Sequence, residues 1–237
     1  MLVAAAVCPC PPLLVPDVAA GAAPELDPLR AACADALGVL AAARPDLLVV
    51  VGPAGLAGRG PHPEGATGDF REFGVDLGVR LGRDLGSTAE RPLAPSLAVG
   101  AWLLADAGWD GAPVEALGVG EPLETARCVA EGRALAARAD RVALLVMGDG
   151  SACRTLKAPG YLDERAAGFD AAAARALAAA DPDALMALDE TLAYELKAAG
   201  RAPWQLLAGA AQGARPVGRL LYDDAPYGVG YLVAAWS

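Results

Sequence analysis

The chain has 237 residues, 55% of them hydrophobic, and a formal net charge of −10. That length can bury a substantial core and suits one α/β domain spanning 1–237. Such an acidic surface repels phosphate backbones, and no basic cluster offsets it, which excludes nucleic acid as a partner at this level of reading.

Leu2–Val7 reads as a strand, followed at once by prolines and without the basic flank of a signal peptide. Asp27–Ala43 has a helical pattern, and Asp46–Val51 is a short apolar run of the kind buried on both faces of a sheet. Residues 52–72 are rich in Gly and Pro and read as a loop; His62, the single histidine, falls among prolines and glycines there and reads as a surface residue. Phe73–Leu81 alternates like a strand, Ser96–Ala107 is helical, Pro113–Val119 strand-like and Thr125–Ala139 helical. Arg141–Met147 repeats the character of Asp46–Val51. After a loop at 148–161, helical patterns fill 162–180, 183–199 and 203–212, and Arg219–Asp223 and Val229–Ala235 form a closing hairpin. Interleaved strands and helices predict a three-layer α/β/α sandwich around a mixed, largely parallel sheet. No apolar run approaches the roughly 20 residues that span a bilayer, so a cytoplasmic protein without membrane contact is expected. Five cysteines, an odd number, argue against a disulfide framework; Cys33 and Cys128 lie in alanine-rich helices and read as small buried hydrophobes.

In open α/β sheets, ligands bind beyond the carboxyl ends of the strands. Three buried strands end in Cys8-Pro9-Cys10, in Gly52-Pro53-Ala54 and in Gly148-Asp149-Gly150-Ser151-Ala152-Cys153, and these loops are expected to line one crevice. On a helix over 183–199, Glu195 falls in the middle of an apolar stripe with Leu188, Leu192 and Ala199. A carboxylate there is either paired or faces a cavity, and without a partner its pKa would rise. Arg154, Lys157 and Tyr161 follow the third loop in an otherwise acidic chain and suggest an anion site; the other reading is a solvated surface.

The opening Cys8-Pro9-Cys10-Pro11-Pro12-Leu13-Leu14-Val15-Pro16 resembles that of the class III extradiol ring-cleavage dioxygenase family (LigB-like, related to the Memo proteins), where the pattern is Pro-His-Pro-Pro-Leu-Leu-x-x-Pro. The ending Tyr222-Asp223-Asp224-Ala225-Pro226-Tyr227-Gly228-Val229-Gly230-Tyr231 is similar to the family's Tyr-Glu-x-Pro-Phe-Gly-Val-Gly-Tyr. The resemblance implies an iron site built from a histidine at position 10, a histidine at position 54 and a carboxylate matched by Glu195, with a proton-shuttling histidine at position 152. This chain has Cys10, Ala54 and Ala152 at those places. Three losses at one site imply a protein of this family that has given up the Fe(II) triad and ring cleavage, keeping a cleft for a small molecule or a partner protein.

That cleft is expected to include Cys8, Cys10, Pro53, Ala54, Asp149, Ser151, Ala152, Arg154, Glu195 and Asp224. No cofactor is expected; a divalent ion such as Zn or Fe is the alternative, with Cys10 and Glu195 as residual ligands and Cys8 and Asp224 as further candidates that nothing in the sequence places there. That alternative is an active metal-dependent ring-cleaving dioxygenase or related oxidoreductase with an unusual Cys/carboxylate site. A second alternative is a metal-free enzyme that uses Cys10 or Cys153 as nucleophile, with Glu195 the remaining catalytic candidate. A homo-oligomer is compatible with the sequence, which does not set the oligomeric state.

Overall fold

A computed structural model describes residues 1–86 and 91–237 of the chain. The first strand, β1 (Leu2–Cys8), leads through turns and the short α1 (Pro16–Ala19) to α2 (Asp27–Ala42) and β2 (Leu47–Pro53). Three short strands follow, β3 (Gly60–His62), β4 (Thr67–Asp69) and β5 (Gly78–Arg80), then α3 (Pro95–Asp106), β6 (Val114–Val119), α4 (Thr125–Ala136) and β7 (Val142–Met147). The chain ends with α5 (Ala166–Ala179), α6 (Pro182–Met186), α7 (Glu190–Glu195), α8 (Arg201–Ala210), β8 (Gly218–Asp224) and β9 (Tyr231–Trp236).

Seven strands form one sheet in the order β3-β6-β2-β7-β1-β9-β8. Its centre, β6-β2-β7-β1, is parallel, while β3, β9 and β8 each run antiparallel to the strand they join. The central strands are apolar on both faces, as strands covered by helices on both sides must be. Alternate residues feed two cores. Val142, Leu144 and Val146 of β7 join one core with residues of α4 and α5 through α8, and Ala143, Leu145 and Met147 join the other with residues of α2 and α3. The sheet is thus flanked by helices on both faces, as the alternating pattern predicts. Among the described residues, no helix is long and apolar enough to cross a membrane.

Three local readings are corrected. Phe73–Leu81 is not one strand: Arg71–Phe73 is a 3-10 turn closed by Gly74 at φ 85°, and only Gly78–Arg80 pairs, with Thr67–Asp69, in a separate ribbon. His62 is not on the surface. It is 2% exposed, because the 52–72 segment folds back to pair β3 with β6, and its Nε2 lies 2.9 Å from the Gly58 carbonyl oxygen. The span 183–199 is two short helices, each started by an aspartate: Asp181 accepts from the Ala184 N–H and Asp189 from the Leu192 N–H.

Candidate functional site

The parallel strands β1, β2, β6 and β7 end on the same edge of the sheet. Cys8 pairs with Met147, Val51 with Val146, and Pro53 with Val119. Counting on by one or two residues, Cys10, Asp149, Ala54 and Gly120 stand just past the strand ends. β9 runs the opposite way beside β1, so its first residue, Tyr231, reaches the same edge.

A cavity of about 400 Å³ opens there. Its floor and one wall are Cys10, Pro53, Ala54 and Gly55; Arg59, the first turn of α3 (Pro95, Ser96) and Glu121-Pro122 close the rest. Local chemistry fixes these walls. Ser96 Oγ donates to the Pro53 carbonyl at 2.6 Å and ties α3 to the end of β2. Arg59 Nε donates to the Ala54 carbonyl at 3.3 Å. Its guanidinium lies over Gly120, where a Cβ would stand 2.7 Å from Cζ, so any larger residue there would push the Arg59 side chain aside.

Glu121 and Pro122 are held from behind. Arg201 of α8, buried, donates to the Leu123 carbonyl at 2.5 Å, to the Glu121 carbonyl, and to Gln205 Oε1 at 3.0 Å. Glu190 accepts from the Thr125 N–H at 2.6 Å and satisfies the first turn of α4.

Asp149 is the carboxyl nearest Cys10. Its Oδ1 accepts from the Cys10 N–H at 2.7 Å, and no other side-chain hydrogen bond or ion pair reaches it among the described residues. Burial pushes it up to about 6, with the Cys10 hydrogen bonds opposing. Burial also raises the Cys10 thiol well above its usual range, and Asp149 and Glu121 add to this, so the thiol is neutral at pH 7. Tyr231, 2% exposed, is raised by burial and then by Asp149, and its hydroxyl has no protein partner among the described residues.

The structure therefore brings Cys10, Pro53 and Ala54 to one cavity and sets Asp149 beside Cys10. It does not bring the rest there. After Asp149 the chain crosses to the other face of the sheet, with Gly150 N–H donating to the Gly230 carbonyl and Gly230 N–H to the Ser151 carbonyl. Ser151 is fully buried against Asp170, which also pairs with Arg154 at 2.9 Å. Ala152 follows it, its N–H bonded to the Leu196 carbonyl. Cys153 lies in the opposite core from Cys10, its Sγ 3.5 Å from the Leu196 carbonyl, and burial raises its thiol. The expectation that the two thiols share a crevice is thus corrected.

Glu195 is not on a buried stripe. The 183–199 span is broken at 187–189, and the Glu195 side chain is 47% exposed and pairs with Arg165 at 2.8 Å. Cys8 is buried, with Cys33 the leading cause of its raised pKa. Asp224 is exposed and accepts from the Ala225 N–H. Lys157 and Tyr161 are exposed, and Arg154 is taken up by Asp170, so the 154–161 loop does not gather an anion site. Among the described residues, no three His, Cys, Asp or Glu side chains converge as metal ligands would. Cys10, a neutral thiol, Ala54, a methyl group, and Glu195, turned outward, do not fit an iron triad.

Sequence reading missed Arg59, Ser96, Glu121 and Tyr231. Arg59 carried a signal, being the only Lys or Arg between Arg44 and Arg71, in the loop right after Gly52-Pro53-Ala54. The others enter the site only through the strand order.

No protein-family model matches the chain, and no curated protein matches it. Among solved structures, the uncharacterized protein JW3007 from Escherichia coli K12 is similar over 99% of both chains, with a TM-score of 0.57 at 15% sequence identity. Likeness at that identity shows a shared fold and nothing about activity.

Proposed function

We propose that this chain is a LigB-like extradiol dioxygenase relative that has lost the iron triad and ring cleavage and uses the strand-end cavity to bind a small molecule. One observation supports the reading: a cavity is lined by Cys10 and Ala54, the two positions that the resemblance matches to metal-binding histidines. The walls are mostly apolar, with few convergent polar groups, as ligand pockets are. The alternative with Cys8, Cys10, Glu195 and Asp224 as ligands lacks support, because those side chains are dispersed between core, cavity and surface. The cysteine-nucleophile alternative lacks support: His62 is engaged near Gly58, burial with Asp149 and Glu121 disfavours the thiolate of Cys10, and burial disfavours that of Cys153.

The test combines elemental analysis after anaerobic Fe(II) reconstitution with oxygen-electrode assays on several catechols. The expected result is iron well below one per chain and no oxygen uptake. About one iron per chain together with metal-dependent turnover would overturn the reading. Since Glu195 is turned away, the combined change Cys10→His, Ala54→His and Ala152→His is expected to leave turnover absent as well.

A further inference from the structure

We propose that the ligand of the strand-end cavity is a small organic monocarboxylate, anchored by the guanidinium of Arg59; this rests on the cavity being a small-molecule site. The protein is acidic, yet this cavity presents a cation whose terminal nitrogens have no partner among the described residues. Arg59 spends Nε on the Ala54 carbonyl and has no carboxylate within ion-pair distance among the described residues. Other arginines with buried or loop-spanning positions are occupied: Arg154 by Asp170, Arg165 by Asp163 and Glu195, Arg201 by backbone carbonyls and Gln205. Arg59 is also held in place. The flat surface of Gly120 lies under it, and Arg91 donates to its carbonyl oxygen at 2.5 Å and to that of Pro61 at 3.2 Å, bringing a second positive charge to the loop. A guanidinium held at Nε, with terminal nitrogens unpaired among the described residues, matches the two oxygens of a carboxylate.

The remaining walls narrow the class. Glu121 lines the same cavity without pairing to Arg59, so a dianion would meet about twice the repulsion that a monoanion meets. Cys10, Pro53, Ala54, Pro95 and Pro122 offer an apolar surface for the body of the ligand. The volume, about 400 Å³, is near the low end for ligand pockets and calls for a compact molecule. Pro95 and Ser96, in the uncapped first turn of α3, line the same space, so the positive end of the helix dipole lies beside it.

The experiment uses the full chain and three probes, benzoate, benzamide and inorganic phosphate, followed by backbone and alanine-methyl NMR shifts at Ala54 and Gly120. Benzoate is expected to shift these signals and to bind about tenfold or more tighter than benzamide, the scale of a charge-assisted hydrogen-bonded pair. Arg59→Met is expected to bring benzoate down to the benzamide level while leaving benzamide unchanged, with Arg59→Lys in between. Glu121→Gln, a second and milder variant, is expected to strengthen benzoate a few-fold. Equal binding of benzoate and benzamide, or benzoate affinity intact in folded Arg59→Met, would overturn the carboxylate assignment and leave the small-molecule cavity standing. Tighter phosphate than benzoate binding would overturn it too. If no probe moves Ala54 or Gly120, both the assignment and the cavity reading fall.

Discussion

Asp149 lies beside Cys10 and near Tyr231, behind the cavity wall that Cys10 forms, and Glu121 is near enough to act on the same Cys10 thiol. Its folded pKa of about 6 lies above the ordinary 3.8, so the fold binds its proton more tightly than the unfolded chain does. The stabilisation from this is complete below the unfolded value. It is lost as pH rises from about 4 through about 6, and the penalty at neutral pH is at most about 3 kcal/mol. Asp149→Asn keeps an acceptor for the Cys10 N–H and removes the ionisation. Urea unfolding of both proteins from pH 4 to 8 is expected to show a difference near zero at pH 4 that grows in favour of the variant up to about pH 6.5. A constant difference across that range would show that Asp149 ionises freely. The sequence marks Asp149, because the loop after a buried strand is legible. It misplaces Glu195, because a periodic apolar stripe counts side chains without counting the caps that cut the helix. Asp181-Pro182 and Asp189-Glu190 are visible cap signals in and beside that span, and they outweigh the periodicity.

The elements themselves are mostly legible because burial on both faces leaves a strong mark. Leu47–Pro53 and Val142–Met147 read as apolar runs, and α2, α3 and α4 read from their periodicity, each within three residues of the observed bounds. What does not read is the 60–81 segment, whose short strands are set by partners far along the chain: β3 exists because β6 offers an edge. Close helix packing is equally silent. α4 and α8 approach so tightly that a Cβ on Gly132 would overlap the Leu206 carbonyl and one on Gly209 the Val129 carbonyl. Neither obstacle is a flexible side chain; both are helix backbone. Gly132→Ala and Gly209→Ala are each expected to cost about 3 kcal/mol, at the upper end for overpacking. Gly38, exposed in α2 with nothing within 4 Å of a Cβ, is the control; Gly38→Ala is expected to stabilise by roughly 0.5–1 kcal/mol through helix propensity and unfolded-chain entropy. Urea midpoints of the three variants check both signs. A neutral Gly132→Ala would mean that the α4–α8 contact is looser than the structure has it. Because Arg201 on α8 holds the Glu121 and Leu123 carbonyls, loosening this contact is also expected to weaken benzoate binding at the cavity.

At the scale of the molecule, the two cores lie on opposite faces of one sheet, and every central strand contributes to both. β1 gives Val7 to one core and Ala6 and Cys8 to the other; β9 gives Leu232, Ala234 and Trp236 to one and Tyr231, Val233 and Ala235 to the other. Losing either helical layer would expose half the side chains of the same strands, so neither layer can leave without undoing the sheet that supports its partner. The expected consequence is one cooperative unit over 1–237, despite a size at which intermediates are common. The tryptophans make this measurable, since Trp204 and Trp236 are buried in one core while Trp102 and Trp109 pack against the other. In the variant Trp102→Phe/Trp109→Phe, fluorescence reports the first core alone, and far-UV circular dichroism reports helices on both faces. The two urea transitions are expected to share one midpoint, and the wild-type fluorescence transition, which samples both cores, is expected to retain a single step. Separate midpoints would show that one helical layer unfolds by itself and that the cavity, built from the β1, β2 and α3 side of the sheet, belongs to a cooperative unit smaller than the chain.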